Sequence, residues 1–273
     1  MKTTIKTMSI GDIHGINDWM YFTHGSPEDF ESWRTYVENT NDPDNYPPFS
    51  NPDWDNYTMH DKIIFIGDYV DSFTIGNVEM KKNLEDIIYF KKTCPDRVVL
   101  LLGNHDVQYI VPNQICSGFR SVMKMDFYDI FHKNIDLFVL AHQIGNVLWT
   151  HAGVTAGWWK EFVKEMFNPS NRFIEIAREN AEGNFADLLN LGWEMKLESI
   201  YNVDHISGGS QMWAGPLWVR PHVLNKHAIE DIKQIVGHTP QSAIWECDNV
   251  VYIDCLEHGG DNGDVYIFDV EAN

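Results

Sequence analysis

Positive charge is scarce in this chain. Of its 273 residues, 20 are Lys or Arg against 40 Asp or Glu, a formal charge of −20. A surface of that sign repels phosphate backbones and anionic lipid, which argues against nucleic acid and membranes as partners. Cysteine is scarce too. Cys94, Cys116, Cys247 and Cys255 form no CxxC pair. That excludes a zinc knuckle or a dithiol redox motif, and free thiols are the expected state. A Cys247–Cys255 disulfide is conceivable, with nothing in the sequence to support it. No apolar run approaches the ~18 residues of a membrane span. The start, "MKTTIKTMSI", is too polar for a signal peptide. Internal repeats are lacking. The expectation is a soluble, cytoplasmic protein.

Hydrophobic residues make up 44% of the chain and aromatics 13%, enough for a sizeable core. Short apolar runs recur, and several end alike. "TMSI" leads into "GDIHG", "KIIFI" into "GDYVD", "RVVLLL" into "GNHD", "NVLW" into "THAG" and "KQIV" into "GHTP". Runs of four to six β-formers closed by glycine or a polar turn read as buried strands. In "VEMKKNLEDIIYFKK", Met80, Leu84, Ile87 and Ile88 share one helical face. Residues 158–201 read as mostly helical, with Leu188, Leu189 and Trp193 toward the core. Strand alternating with helix predicts an α/β fold. The closing runs "SAIWEC", "VVYID" and "DVYIFDV" predict an antiparallel portion of sheet. From His24 to Asp61 there are nine acidic residues and one basic, Arg34. This acidic stretch (24–61) reads as a long loop or insertion. Strands of one apparent sheet flank it, so a single domain over 1–273 is expected.

Polar, ligand-capable residues follow each strand: Asp12 and His14, Asp68 and Asp71, Asn104 and His105, His151, His238. The ends of α/β strands are where such sheets place their binding sites. Carboxylate, amide and imidazole together suit a pair of divalent cations that clamp the two oxygens of a phosphoryl displacement. Imidazole-rich sites fit manganese, iron or zinc better than magnesium. His142 and His205 match no such position and read as structural or surface residues. His222 is undecided.

In that order, "GDIHG", "GDYVD", "GNHD", "HAG" and "GHT" resemble the metal-site motifs of the calcineurin-like metallophosphoesterases. More narrowly they resemble the phosphoprotein phosphatase branch, which includes bacterial protein phosphatases and diadenosine tetraphosphate hydrolases. The resemblance implies two mixed β-sheets packed as a sandwich flanked by helices. It implies two divalent metal ions, with manganese first and iron or zinc as alternatives. Asp12 and His14 would hold one ion, Asn104, His151 and His238 the other, and Asp68 both. His105 would be the general acid, oriented by Asp71; a helix cap is the plainer role for Asp71. Arg220, in "LWVRP", and Asn104 would face the substrate phosphate; a buried salt bridge is the plainer role for Arg220. The implied activity is phosphoester hydrolysis by metal-bound hydroxide. The expected substrate is a phosphoprotein or small phosphomonoester, with a diadenosine polyphosphate or other nucleotide as the alternative. An idle metal- or partner-binding module is the non-enzymatic alternative, and the intact ligand set weighs against it. One departure stands out. The branch usually reads "GDYVDRG", with a phosphate-gripping Arg where this chain has Ser72, followed by Phe73.

Overall fold

The computed structural model describes residues 3–44, 60–170, 183–257 and 264–272. One sheet contains β1 (Thr3–Ile10), β2 (Lys62–Phe65), β3 (Val98–Leu101), β4 (Phe138–Val139) and β10 (Val265–Ala272), in the order β10-β1-β2-β3-β4. The other contains β5 (Ala141–Ile144), β6 (Val147–Thr150), β7 (Lys233–Val236), β8 (Trp245–Cys247) and β9 (Val250–Tyr252), in the order β5-β6-β7-β9-β8. Strands β1 to β4 run parallel, with β10 antiparallel at the edge. Strands β6, β7 and β9 run parallel between antiparallel β5 and β8. Both sheets are therefore mixed, as expected. The three C-terminal runs separate: β8 and β9 form a hairpin in one sheet, while β10 joins the other beside β1.

The continuous run Ile63–Ile66 is wholly buried because both faces of β2 are covered. Its side chains alternate. Ile63 and Phe65 join a core that includes Trp19, Phe30, Leu84 and Ile87. Ile64 and Ile66 join Ile235, Val251 and Ile253 of the second sheet. That second group is the seam between the sheets, and the Trp149 indole N–H bonds Ser9 Oγ across it at 2.9 Å. Helix α3 (Asn77–Thr93) buries Met80, Leu84, Ile87 and Ile88, the face its periodicity predicts. The 158–201 stretch contributes helices Ala156–Met166 and Phe185–Met195; residues 171–182 lie outside those described.

The acidic stretch departs from expectation. Residues 27–40 form a helix, α2 (Pro27–Thr40), rather than a loop. Pro27 opens it, Ser26 Oγ accepts the Asp29 N–H, and Glu28 and Asp29 complement the helix dipole. Phe30, Trp33 and Val37 form a buried stripe at helical spacing, masked in the sequence by the surrounding charge. Residues 45–59 lie outside the described part. No helix among the described residues is long and apolar enough to cross a membrane. All four cysteines are free.

Candidate active site

The C-terminal ends of the parallel strands of both sheets meet at one edge. Asp12 and His14 follow β1, Asp68 and Asp71 follow β2, and Asn104 and His105 open α4 (Asn104–Ile110) after β3. His151 follows β6 and His238 follows β7. Asp68 lies at the centre. Its Oδ2 is 3.4 Å from His151 Nε2 and 3.8 Å from His14 Nε2, and its Oδ1 accepts the His105 N–H at 2.9 Å. Two potential ion-holding groups share it, Asp12–His14–Asp68 and Asp68–His151–His238, each with ligand atoms within 4.8 Å of one another. Asn104 Oδ1 lies 3.0 Å from His151 Nε2.

The local backbone is built for this convergence. His14, Asp68, Asp71 and His238 all have left-handed φ, at 42°, 52°, 69° and 68°. Such conformations are strained for residues with a Cβ and cluster at functional sites. Glycine supplies the close approach. A Cβ at Gly103 would collide with Asp68 Oδ1, and one at Gly237 with Asp12 Oδ1. Those two glycines of "GNHD" and "GHTP" therefore make room for carboxylates.

The donor set fits divalent cations. His14 Nδ1 and His151 Nδ1 are each 3.0 Å from a backbone carbonyl, of Val70 and Ile66. Those contacts occupy Nδ1 and leave Nε2 of each ring turned toward Asp68, the nitrogen a metal would take. His238 Nε2 is buried with no hydrogen-bond partner. Asp12 accepts the His238 N–H at 3.0 Å on both oxygens. Burial pushes the Asp12 carboxyl up, and Asp254 adds to it. Burial also opposes ionisation of Asp68, but the neighbouring His151, His105 and His14 outweigh it and hold Asp68 below the usual range. Burial, His151 and Arg220 drive His238 well down. Burial lowers His14 as well, whereas at His151 Asp68 and Asp12 outweigh burial and favour the imidazolium, a positive charge that a dication would supply in its place.

His105 and Asp71 pair at 3.2 Å through Nδ1, which leaves Nε2 as the ring nitrogen not engaged by Asp71, and Cys116 also lies within hydrogen-bonding reach of the ring. Burial disfavours the imidazolium, yet Asp68 and the Asp71 bond outweigh it and push His105 up to about 11. Asp71 caps no helix, since α3 begins at Asn77 with Gly76 as its cap. Arg220 bonds the His238 carbonyl at 3.3 Å and Thr239 Oγ1 at 3.2 Å. No carboxylate among the described residues pairs with it, so its plainer role as one half of a salt bridge does not hold. His142 is half-buried against Trp149, away from the cluster, while His205 and His222 are exposed.

Ser72 is 3% exposed, and its Oγ accepts the Thr74 and Ile75 N–H groups at 3.1 and 3.0 Å. The Arg120 guanidinium lies beside this turn. It bonds the carbonyls of Ser72 and Ile75 and, at 2.7 Å, Asn77 Oδ1. That arginine is spent on backbone, and Phe73 is 81% exposed.

Sequence reading passed over four residues at the site. Asp106 accepts the N–H groups of Gly103, Asp68 and Tyr69, each at 2.8 Å, and so holds the strained Asp68 turn. Asp254 ends the "VVYID" run and shares a hydrogen bond with Asp12; the strand-end rule that found Asp12 would have found it. Gln108 and Tyr109 both donate to Asp71. They lie three and four residues after His105, so helical spacing was their signal.

A family model described as calcineurin-like phosphoesterase matches residues 5–260. The fold is similar to that of a solved cold-active protein tyrosine phosphatase, with 14% identity, 96% of this chain and 73% of that chain covered, and a TM-score of 0.53. An I115M mutant of a cold-active protein tyrosine phosphatase aligns at 14% identity over 98% and 80% of the two chains, TM-score 0.52. A protein serine/threonine phosphatase from Saccharomyces cerevisiae aligns at 13% identity over 98% and 80%, TM-score 0.43. No curated protein sequence matches.

Proposed function

The chain belongs to the calcineurin-like phosphoesterase family and is a metal-dependent phosphoester hydrolase, and from that premise we propose that it cleaves phosphomonoesters of alcohols, phosphoseryl and phosphothreonyl peptides among them. One observation carries the choice: the buried His105–Asp71 pair at 3.2 Å. An alkoxide leaves poorly and needs a proton as the P–O bond breaks, whereas the phosphate released from a phosphoanhydride does not. A positioned acid is therefore most useful on esters. Charge supports the same choice. Asp254 and Glu257 add to the acidic surroundings, and the second arginine of the related phosphatases is Ser72 here. A polyphosphate chain meets more repulsion in such a field than a single phosphate does.

In this reading, two divalent cations held by Asp12, His14 and Asp68 and by Asp68, Asn104, His151 and His238 would supply Lewis acidity and a lowered water pKa. The remaining work falls to the chain. Arg220 binds phosphoryl oxygens, its fork steadied by the His238 carbonyl and Thr239. Asn104 offers its amide to the same group. His105 Nε2 gives its proton to the departing oxygen, and Asp71 keeps the ring aimed. Asp106 keeps the Asp68 turn in its left-handed geometry. The same reading treats the chain as one domain, with manganese first among its metals. Four free thiols favour a reducing compartment such as the cytoplasm.

The test is a turnover screen of the protein loaded with manganese, iron or zinc, comparing a phosphoserine peptide, p-nitrophenyl phosphate and diadenosine tetraphosphate. Faster cleavage of the peptide than of the dinucleotide is expected. The opposite ranking would move the assignment to nucleotide hydrolysis.

A further inference from the structure

We propose that Tyr109 and Gln108 are positioning residues for proton delivery by His105, acting through Asp71; this rests on the general-acid reading of His105 given above. Helix α4 carries His105, Gln108 and Tyr109 at relative positions 0, 3 and 4, so they share one face. All three reach one carboxylate. Asp71 Oδ2 lies 3.2 Å from His105 Nδ1 and also accepts the Gln108 amide, while Oδ1 accepts the Tyr109 hydroxyl at 2.5 Å. Asp71 is fully buried, so water does not compete for these bonds. A carboxylate held through both oxygens cannot turn about its Cβ–Cγ bond. The ring it holds is then fixed, with Nε2 as the nitrogen left to give its proton to the oxygen that leaves with the P–O bonding pair.

The two helpers are themselves pinned. The Cys116 N–H donates to Gln108 Oε1 at 3.1 Å, and the Arg120 N–H donates to the Tyr109 hydroxyl at 2.8 Å. The Arg120 guanidinium holds the carbonyls of Ser72 and Ile75, just past the left-handed Asp71. Loop 112–120 is thereby tied at three points to Gln108, to Tyr109 and to the turn after Asp71. The Tyr109 ring also packs on Phe119 and Phe127, with centroids 5.1 Å away in each case. Packing alone explains the ring, but it does not explain a hydroxyl that bonds Asp71 and the loop together.

The test compares wild type with Tyr109→Phe, Gln108→Met and His105→Asn. Each manganese-loaded protein is assayed on an alkyl phosphate and on p-nitrophenyl phosphate, whose leaving group needs little protonation. Tyr109→Phe should lower kcat on the alkyl ester by about 10- to 150-fold, the equivalent of one hydrogen bond to a charged group. The aryl ester should change less than about twofold, with KM and metal content unchanged. Gln108→Met should show the same pattern, so the proposal stays testable if one variant fails to fold. A second readout needs no turnover: the proton NMR signal of His105 Nδ1–H, identified by its loss in His105→Asn. In Tyr109→Phe it should move upfield and exchange faster with solvent. Equal losses on both esters, or no loss and an unmoved resonance, would overturn the proposal. If His105→Asn loses ester-selective activity while Tyr109→Phe does not, only the positioning role falls. If His105→Asn itself loses nothing, the general-acid reading falls and this inference with it.

Discussion

His24 and His105 occupy two well-buried regions of this molecule. His24, at the end of α1 (Trp19–His24), is 4% exposed among Trp19, Phe30, Trp33 and Phe90, with ring centroids 4.8 to 6.3 Å away. His105 has a side chain 12% exposed, beside His14, Asp68 and Asp71. Burial penalises the imidazolium in both places. In the aromatic nest little opposes it, and burial aided by Arg97 drives His24 down to about 3. At the strand ends two carboxylates reverse the balance, and His105 rises to about 11. A buried histidine is thus neutral or cationic according to its neighbours, and burial does not decide which. One region is core, and the other can hold a proton through neutral pH.

Removing the central carboxylate should break the comparison most severely. Asp68→Asn takes the shared group from both potential ion sites and should reduce manganese from two equivalents to one or none. Turnover should fall to background. Elemental analysis after saturation with manganese decides this, and retention of two ions would remove Asp68 from its shared role.

Asp71→Asn makes His105 more like His24, and the expected loss of kcat on an alkyl phosphate is about 10²- to 10⁴-fold. Metal content should stay unchanged. With weaker electrostatic support His105 deprotonates at lower pH, so the alkaline limb of the rate profile should move toward neutrality. An unmoved limb would show that another group carries it.

His24→Phe probes the other region. Folded His24 titrates near 3, below its value of about 6.5 in the unfolded chain. Its contribution to stability is intact at neutral pH and is lost as pH falls from about 6.5 toward 3, by about 1.4 kcal/mol per unit. The variant, with Phe packed among the same rings, should lose that part of the slope of Tm against pH between 4 and 6.5. Identical slopes in the two proteins would mean that His24 is already protonated in its nest.

The smallest change is expected at the wall of the site. Ser72→Arg should not tighten inhibition by inorganic phosphate beyond about twofold, although related phosphatases carry Arg there. The buried Ser72 Oγ caps the turn that follows it, and the neighbouring carbonyls are taken by Arg120. A tenfold tighter inhibition constant, worth about 1.4 kcal/mol, would show that the turn can open to admit the new side chain.

Much of this was legible beforehand. The runs ending in Gly11, Gly67 and Gly103 became β1, β2 and β3, because apolar residues bounded by turn signals have few other uses. The recurrence of Asp, Asn and His just past those runs marked the site. Helix α2 was not legible, because four acidic residues interleaved with Phe30, Trp33 and Val37 hid a three-residue stripe. Arg120 gave no signal either. It lies 48 residues from Ser72, and nothing local says that its guanidinium will bond that carbonyl.

The sequence by itself determined that this is an α/β protein with candidate metal-ligand residues at successive strand ends, since strand propensity, glycine punctuation and residue chemistry are local properties. It also determined the acidic field that any substrate meets. Only the tertiary structure decided that the ends of two separate sheets converge on Asp68. It likewise decided that backbone carbonyls engage Nδ1 of His14 and His151 and leave Nε2 toward Asp68. It placed β10 beside β1 instead of beside β9. It set His24 and His105 on opposite sides of neutrality. The physical reason is common to all four: each depends on which groups from distant parts of the chain come within a few ångströms, and no local pattern encodes that.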